Sequence, residues 1–321
     1  MRLKQIEVTA FGKVAVGIDR PEDVVVLADG RVFAADHQCA VAQIHPDGSF
    51  TRMGPRFGAP NGINALRDGR IVIANFGIYD GPGTPGPLEL FDPATGQRSV
   101  LVSEVEGRPL TSANYPVVDA LGNIWCANST HAPTWPEALD GRTDGFIFVV
   151  TPDGRARIVA ENLCFPNGLA LDAAEACLYA CQTSKADVVR FVIQNSDAGP
   201  SLGPPKQYGP VLGPVLTGPV DPDNMPPPEV MHNLGYTDGC GFDEDGNLWV
   251  CLPAANKIVA ITPSWEVVTV AHDPTGTVIN HPTNITFGGE DLMDLYVGSI
   301  RADYVLKARS PVPGLPQHHQ L

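Results

Sequence analysis

The chain has 321 residues, 43% of them hydrophobic and only 18% charged, with 33 Gly and 31 Pro, a turn-rich composition short of the Ala, Glu and Lys stretches that helices favour. Its formal net charge of -15 argues against nucleic acid and against an anionic membrane as partners, because both select positive surfaces. It suits an enzyme acting on a small molecule, or a cation binder.

Residues 1–12 carry Arg2, Lys4 and Glu7 without an apolar stretch, so no secretory signal is expected, and no run is long enough for a membrane helix. From there the chain repeats one unit: an apolar strand, a Gly or Asp/Gly turn, and a second apolar strand. The pairs fall at 24–27 and 32–35, 63–66 and 71–74, 117–120 and 124–127, 169–171 and 177–181, 241–243 and 248–252, and 285–288 and 295–298. Each reads as a β-hairpin. Third strands follow at 42–44, 88–91, 146–150 and 257–261, and short apolar runs such as 157–160 and 266–271 supply a fourth. Six four-stranded units in series predict an all-β, six-bladed β-propeller occupying 1–321 as a single domain. To close the ring, a strand near 6–11 is expected beside one near 304–308. The period stretches near 76–87, 129–145 and 195–233; these insertions are expected to lie around the pocket, the longest being either a lid or a plain surface loop.

One position recurs in the repeats with a carboxylate or carboxamide: Glu22, Asn61, Asn114, Asn167, Asp238 and Asn284. In four copies it precedes the turn glycine (Gly30, Gly69, Gly122, Gly246) by eight residues; Asn167 and Asn284 fit if their turns are about one residue longer. Equivalent positions of a closed array converge on its axis, so the pattern predicts a ring of oxygen donors suited to a hard divalent cation. Asn and Asp also favour strand starts by bonding their own backbone, which explains one such residue more easily than six in register.

Seven cysteines, odd in number and without CxxC pairs, point to reduced thiols and a cytoplasmic protein. Among the histidines, His37 and His281 sit at repeat edges, and His131 and His232 in insertions. Trp125 and Trp249 occupy strands as core residues, whereas Trp135 in an insertion suits a lid. GxSxG, P-loop and GxGxxG motifs do not occur.

The stretches Arg20-Pro21-Glu22-Asp23, Phe165-Pro166-Asn167-Gly168-Leu169-Ala170, Thr237-Asp238-Gly239-Cys240-Gly241-Phe242-Asp243 and Thr283-Asn284-Ile285-Thr286-Phe287-Gly288-Gly289, in that order and spacing, resemble the SMP-30/gluconolactonase/luciferin-regenerating-enzyme-like propellers, with paraoxonase and diisopropyl-fluorophosphatase more distant. The resemblance implies a divalent metal held by Glu22, Asn167 and Asp238, with Asn114 as ligand or substrate contact. Calcium is expected first, and manganese, magnesium, zinc or ferrous iron serve in other members. All-oxygen ligands favour calcium, magnesium or manganese over zinc. The implied reaction is lactone hydrolysis, in which the ion polarises the carbonyl and Asp238 acts as base or nucleophile, or as a ligand to an ion whose bound water attacks. Asn61 and Asn284 are expected to face substrate, with His37 and His281 nearby. Sugar-lactone-hydrolysing relatives carry Arg two residues before the third-repeat Asn and often Asp after it; here Ser112 and Tyr115 stand there. Losing the guanidinium and gaining an aromatic ring points to a less hydroxylated, more apolar substrate. Isomerisation, lyase action or condensation on an aromatic or carbonyl substrate, and a non-catalytic cation-binding propeller, are the other readings of the same ring. Oligomeric state is not encoded in these patterns.

Overall fold

The first five hairpin turns each place one residue at positive φ, and the chain supplies glycine at Gly30 (φ 84°) and Gly69 (φ 86°), where a Cβ would be strained. The fourth repeat does the same with Glu175 (φ 49°), which closes its turn by donating to the Asp172 carbonyl at 2.8 Å. Asn167 therefore keeps the eight-residue spacing, and the extra residue of that turn comes after Glu175.

The computed structural model describes residues 3–196, 199–216, 218 and 226–321. Six antiparallel sheets surround one axis. Blade one is Val24–Val26, Val32–Ala34, Cys39–Ile44 and Phe50–Pro55; blade two is Pro60–Ala65, Ile71–Asn75, Leu88–Phe91 and Arg98–Val102; blade three is Ala113–Val118, Ile124–Asn128, Gly145–Val150 and Ala156–Leu163. Blade four adds a fifth strand: Pro166–Leu171, Cys177–Gln182 and Asp187–Ser196, the last pairing with both Gly199–Leu202 and Lys206–Gln207. Blade five is Cys240–Phe242, Leu248–Leu252, Lys257–Ile261 and Val267–His272. Blade six joins the two ends of the chain, with Pro282–Gly288, Asp294–Ser299 and Val305–Arg309 completed by Gly12–Val14 on its outer edge. The fold is a six-bladed β-propeller.

The closing strand lies at Gly12–Val14, where Gly12 faces Lys307 and Val14 faces Val305, and not at 6–11. The preceding segment coils through a 3-10 turn, Val8–Ala10. Its apolar side chains Leu3, Ile6 and Phe11 pack with Val270, Ile279 and Tyr304 of blades five and six. They gain more by burial there than an edge strand, half open to water, would give them.

Side chains from facing sheets fill the spaces between blades. Trp125 and Trp249 are fully buried, and each donates its indole N–H at 2.9 Å to the aspartate that opens its hairpin turn, Asp119 or Asp243. Asn123 and Asn247 bond the same carboxylates, so each turn is tied to the core at a point where an unpaired indole would be costly. All seven cysteines are free, and only Cys177 is partly exposed. Among the described residues no helix is long and apolar enough to cross a membrane.

The C-terminal segment lies across the far end of the channel. Gln317 accepts from Asn64 at 3.0 Å and Gln320 donates to the Phe287 carbonyl at 2.8 Å. Burial of His319 pushes its pKa down to about 4. A histidine charged less readily folded than unfolded stabilises the fold above about pH 6.5, and this contribution is lost as pH falls towards 4. Denaturant titrations at pH 7, 5 and 4 should show the parent losing about 3 kcal/mol more than His319→Leu over that interval.

Candidate functional site

Strand pairing sets which residues reach the axis. Pro60 faces Asn75, Ala113 faces Asn128, Pro166 faces Gln182 and Pro282 faces Ser299. The next residue in each strand occupies the ring: Asn61, Asn114, Asn167 and, in blade six, Thr283. Glu22 and Asp238 hold the same place two residues before Val24 and Cys240, where the inner strands of blades one and five begin. Asn284 therefore does not belong to the ring. The sixth turn carries an added residue at positive φ, Gly289 (φ 79°), ahead of its turn residue Leu292 (φ 53°), so spacing measured from the turn overshoots by one. Thr283 is buried and its hydroxyl is spent on the Glu22 carbonyl at 2.6 Å; the ring position of blade six adds no oxygen donor to the cavity.

The residues one step further along each strand form a second layer, since alternate side chains of a strand point to opposite sides. They are Asp23, Gly62, Tyr115, Gly168, Gly239 and Asn284. The three bulky ones close the channel: the Asn284 carboxamide donates to Asp23 Oδ1 and, at 2.7 Å, to the Tyr115 hydroxyl. The three glycines make room for neighbouring inner strands to approach. Burial, opposed by hydrogen bonds from Asn284, Ile63 and Val24, raises the Asp23 pKa to about 7, and burial also raises that of Tyr115. Tyr115 and Asn284 thus lie beneath the cavity, not on its wall. Ser112 is fully buried ahead of its strand, its amide donating to Asn128 Oδ1 at 3.0 Å. None of the three lines the cavity, contrary to the substrate contacts expected of them.

Above this closed floor opens a cavity of about 450 Å³. Glu22, Asn61, Asn114, Asn167 and Asp238 line its base together with Arg20, which sequence reasoning passed over. The only signal was its position two residues before Glu22. Arg20 is buried at φ 51°, and its guanidinium stacks on Tyr79 at 4.1 Å. Nη1 donates to Asn61 Oδ1 at 3.1 Å and meets His37 Nε2 at 2.9 Å, while Nη2 lies 3.4 Å from Glu22 Oε2. Since Arg20 can only donate, His37 Nε2 must accept. Burial, then the Arg20 charge, hold the His37 pKa down to about 3. His37 therefore stands behind Arg20 as a neutral prop, off the cavity wall. His281 does line the cavity, with a pKa lowered to about 4 by burial and by Arg301.

The hydrogen bonds also orient the amides. Ser129 Oγ donates to the Pro166 carbonyl at 2.8 Å, so it accepts from Asn114 Nδ2 at 2.8 Å. Asn114 Oδ1 is thereby turned away from Ser129 and accepts from Asn61 Nδ2 at 2.6 Å. Asn167 Nδ2 donates to Thr183 Oγ1 at 3.2 Å, leaving its Oδ1 without a partner, and Glu22 Oε2 has no hydrogen-bond donor. Asp238 is fixed through its backbone, which accepts from Gly168 at 3.1 Å and donates to Cys251 at 3.0 Å, and its side chain stays partly accessible from the cavity. Its pKa is raised well above the ordinary range by burial and then by the Glu22 charge, against Arg20 and an Asn167 hydrogen bond. Burial likewise raises Glu22, against the nearby Arg20.

Two acids with raised pKa values, the buried Glu22 and the partly accessible Asp238, beside unpartnered oxygens fit a divalent cation, whose charge would hold both carboxylates ionised. No group of three or more His, Cys, Asp or Glu residues able to hold a metal occurs among the described residues; carboxamide oxygens, above all Asn167 Oδ1, would have to complete the set.

The model of the SMP-30/gluconolactonase/LRE-like region matches residues 83–301. Gluconolactonase of Zymomonas mobilis is 29% identical over 143 residues, 44% of this chain and 37% of that protein, so the matched stretch spans little more than a third of that relative's length. The 6-deoxy-6-sulfogluconolactonase of Pseudomonas putida is 25% identical over 272 residues, covering 79% of this chain and 76% of the relative. Among solved structures, a gluconolactonase of Xanthomonas campestris superposes with a TM-score of 0.66 at 18% identity, over 93% of this chain and 89% of that one, a likeness of fold. With a family match over more than half its length, joined to six blades around a carboxylate and carboxamide ring, the chain belongs to the SMP-30/gluconolactonase/LRE-like family.

Proposed function

We propose that this chain is a metal-dependent hydrolase that opens a lactone or related cyclic ester. The observation that carries the reading is the convergence of Glu22 Oε2, Asn167 Oδ1 and Asp238 at the base of a closed-ended cavity, two of them acids whose pKa values are raised by burial. Relatives named gluconolactonase and sulfogluconolactonase support the reaction class. One divalent ion, calcium first as the family resemblance implies, with magnesium and manganese equally compatible with oxygen ligands, would be held by Glu22, Asn167 and Asp238, and when bound it supplies Lewis-acid polarisation of the substrate carbonyl.

The protein's own residues supply the rest. Asp238, reachable from the cavity, takes a proton from water as the hydroxyl adds to the carbonyl carbon. It returns that proton to the ring oxygen as the C–O bond breaks, giving the hydroxy acid. Arg20 and Asn61 hold Glu22 in place from one side, and Asn114, locked through Ser129, closes the base on the other. The closed floor of Asp23, Tyr115 and Asn284 confines the reacting carbonyl to one entrance.

The test is pH-stat hydrolysis of lactones by chelator-treated protein before and after addition of calcium, manganese, magnesium, zinc or ferrous ion. Turnover should vanish on chelation and return with at least one ion. If every ion fails to restore turnover of any lactone while still binding, the hydrolase reading is wrong.

A further inference from the structure

The cavity is polar at its base and where His281 and Arg301 reach it, and apolar along much of the remaining wall. One side wall is the aromatic triad Phe76, Trp135 and Phe165, whose rings meet at 5.6 to 6.2 Å with interplanar angles of 59 to 84°. These are the edge and tilted contacts that hold aromatic rings in a fixed arrangement. Leu216, Met231 and Tyr236 also line the cavity. The triad belongs to a hydrophobic cluster separate from the cores between blades, and much of it is built by two insertions and not by the repeat. Phe76 and Phe165 are almost fully buried and Trp135 is partly exposed, so the apolar face turned to the cavity is chiefly that of Trp135 with the Phe rings beside it; water against it is unfavourable until an apolar ligand covers it.

We propose that the substrate carries an aromatic or medium-chain alkyl group on the ring that is opened. This group lies along Phe76, Trp135 and Phe165 while the carbonyl reaches Glu22 and Asp238. A polyhydroxylated ring would find hydrogen-bond partners at the base but leave its remaining hydroxyls unpaired against the wall. The inference rests on the hydrolase reading, and the experiment separates the two.

The kcat/KM of metal-loaded protein is measured for an unsubstituted γ-lactone, an alkyl series from methyl to hexyl, a phenyl-substituted lactone and a polyhydroxylated lactone. In parallel, calorimetry follows binding of cyclic ketones, which cannot be hydrolysed, bearing the same alkyl and phenyl groups. Each added methylene should raise kcat/KM by about threefold to fourfold until the wall is covered. Trp135→Ala should lower the ratio of hexyl to unsubstituted lactone on the order of tenfold or more. Met231→Gln, at a partly exposed position that tolerates a polar side chain, should lower the same ratio and serves if Trp135→Ala does not fold. A flat series, or a preference for the polyhydroxylated lactone, overturns the proposal. If no lactone turns over but ketone affinity rises with the substituent, the apolar ligand stands and hydrolysis falls; ketones that bind without that gradient, or not at all, overturn it.

Discussion

Asp238→Asn should lower lactone hydrolysis by on the order of a thousandfold or more while making the metal-free protein more stable. Loss of a general base costs about 10²- to 10⁴-fold, and here the same change also removes a ligand. The stability effect has the opposite sign because burial and Glu22 raise the folded-state pKa of Asp238 above its unfolded value. The folded protein then binds more protons than the unfolded chain near neutrality, and stability is lost as pH rises through the raised pKa. A neutral carboxamide has no such penalty. Glu22→Gln should act in the same direction on stability, because burial raises Glu22 also. Adding divalent ion at a hundred times its Kd should stabilise the parent by about 2.7 kcal/mol and each variant far less. Thermal melts with and without ion, beside the activity assay, check both signs; variants less stable than the parent without metal would argue that these carboxylates are structural.

Gly168→Ala should damage both fold and activity. A Cβ at Gly168 would lie 2.5 Å from Gly239 Cα and 2.6 Å from the Asp238 carbonyl oxygen, contacts that real Cβ atoms do not make. The inner strands of blades four and five must separate, at a cost of about 1–3 kcal/mol for such overpacking. Those strands carry Asn167 and Asp238, so a displacement near 1 Å should cost about a hundredfold in kcat. Denaturant unfolding and kinetics on one preparation test this, and parent-like values for both would mean the two strands are not held as tightly as their contacts imply.

How much of this was legible in the sequence follows from where the repeat holds. Hairpin period and turn glycines carried the six blades and five of the six ring positions, even in blade four, where Glu175 takes the glycine's place in the turn. The sixth position failed because Gly289 adds a residue between ring and turn, which spacing alone cannot distinguish from a shift of register. Tyr115 was read as a wall residue although it is adjacent to Asn114, and the two-residue period of a strand turns its side chain away, towards Asp23 and Asn284. The expectation of an apolar substrate drew on Ser112 and Tyr115, and neither lines the cavity; the apolar wall comes from Phe76, Trp135 and Phe165. Two of these stand in insertions that carry no periodic pattern. Arg20 escaped notice for a related reason: nothing in a linear motif shows that a guanidinium folds back over Asn61 and His37.

The metal-centred base of the cavity is tested most directly by anomalous diffraction from crystals soaked in manganese, with data collected on either side of the metal's absorption edge. One peak is expected at the base of the cavity, about 2.0–2.6 Å from oxygens of Glu22, Asn167 and Asp238. A bound ion whose peak lies elsewhere, with Arg20 alone left to neutralise Glu22, would contradict it.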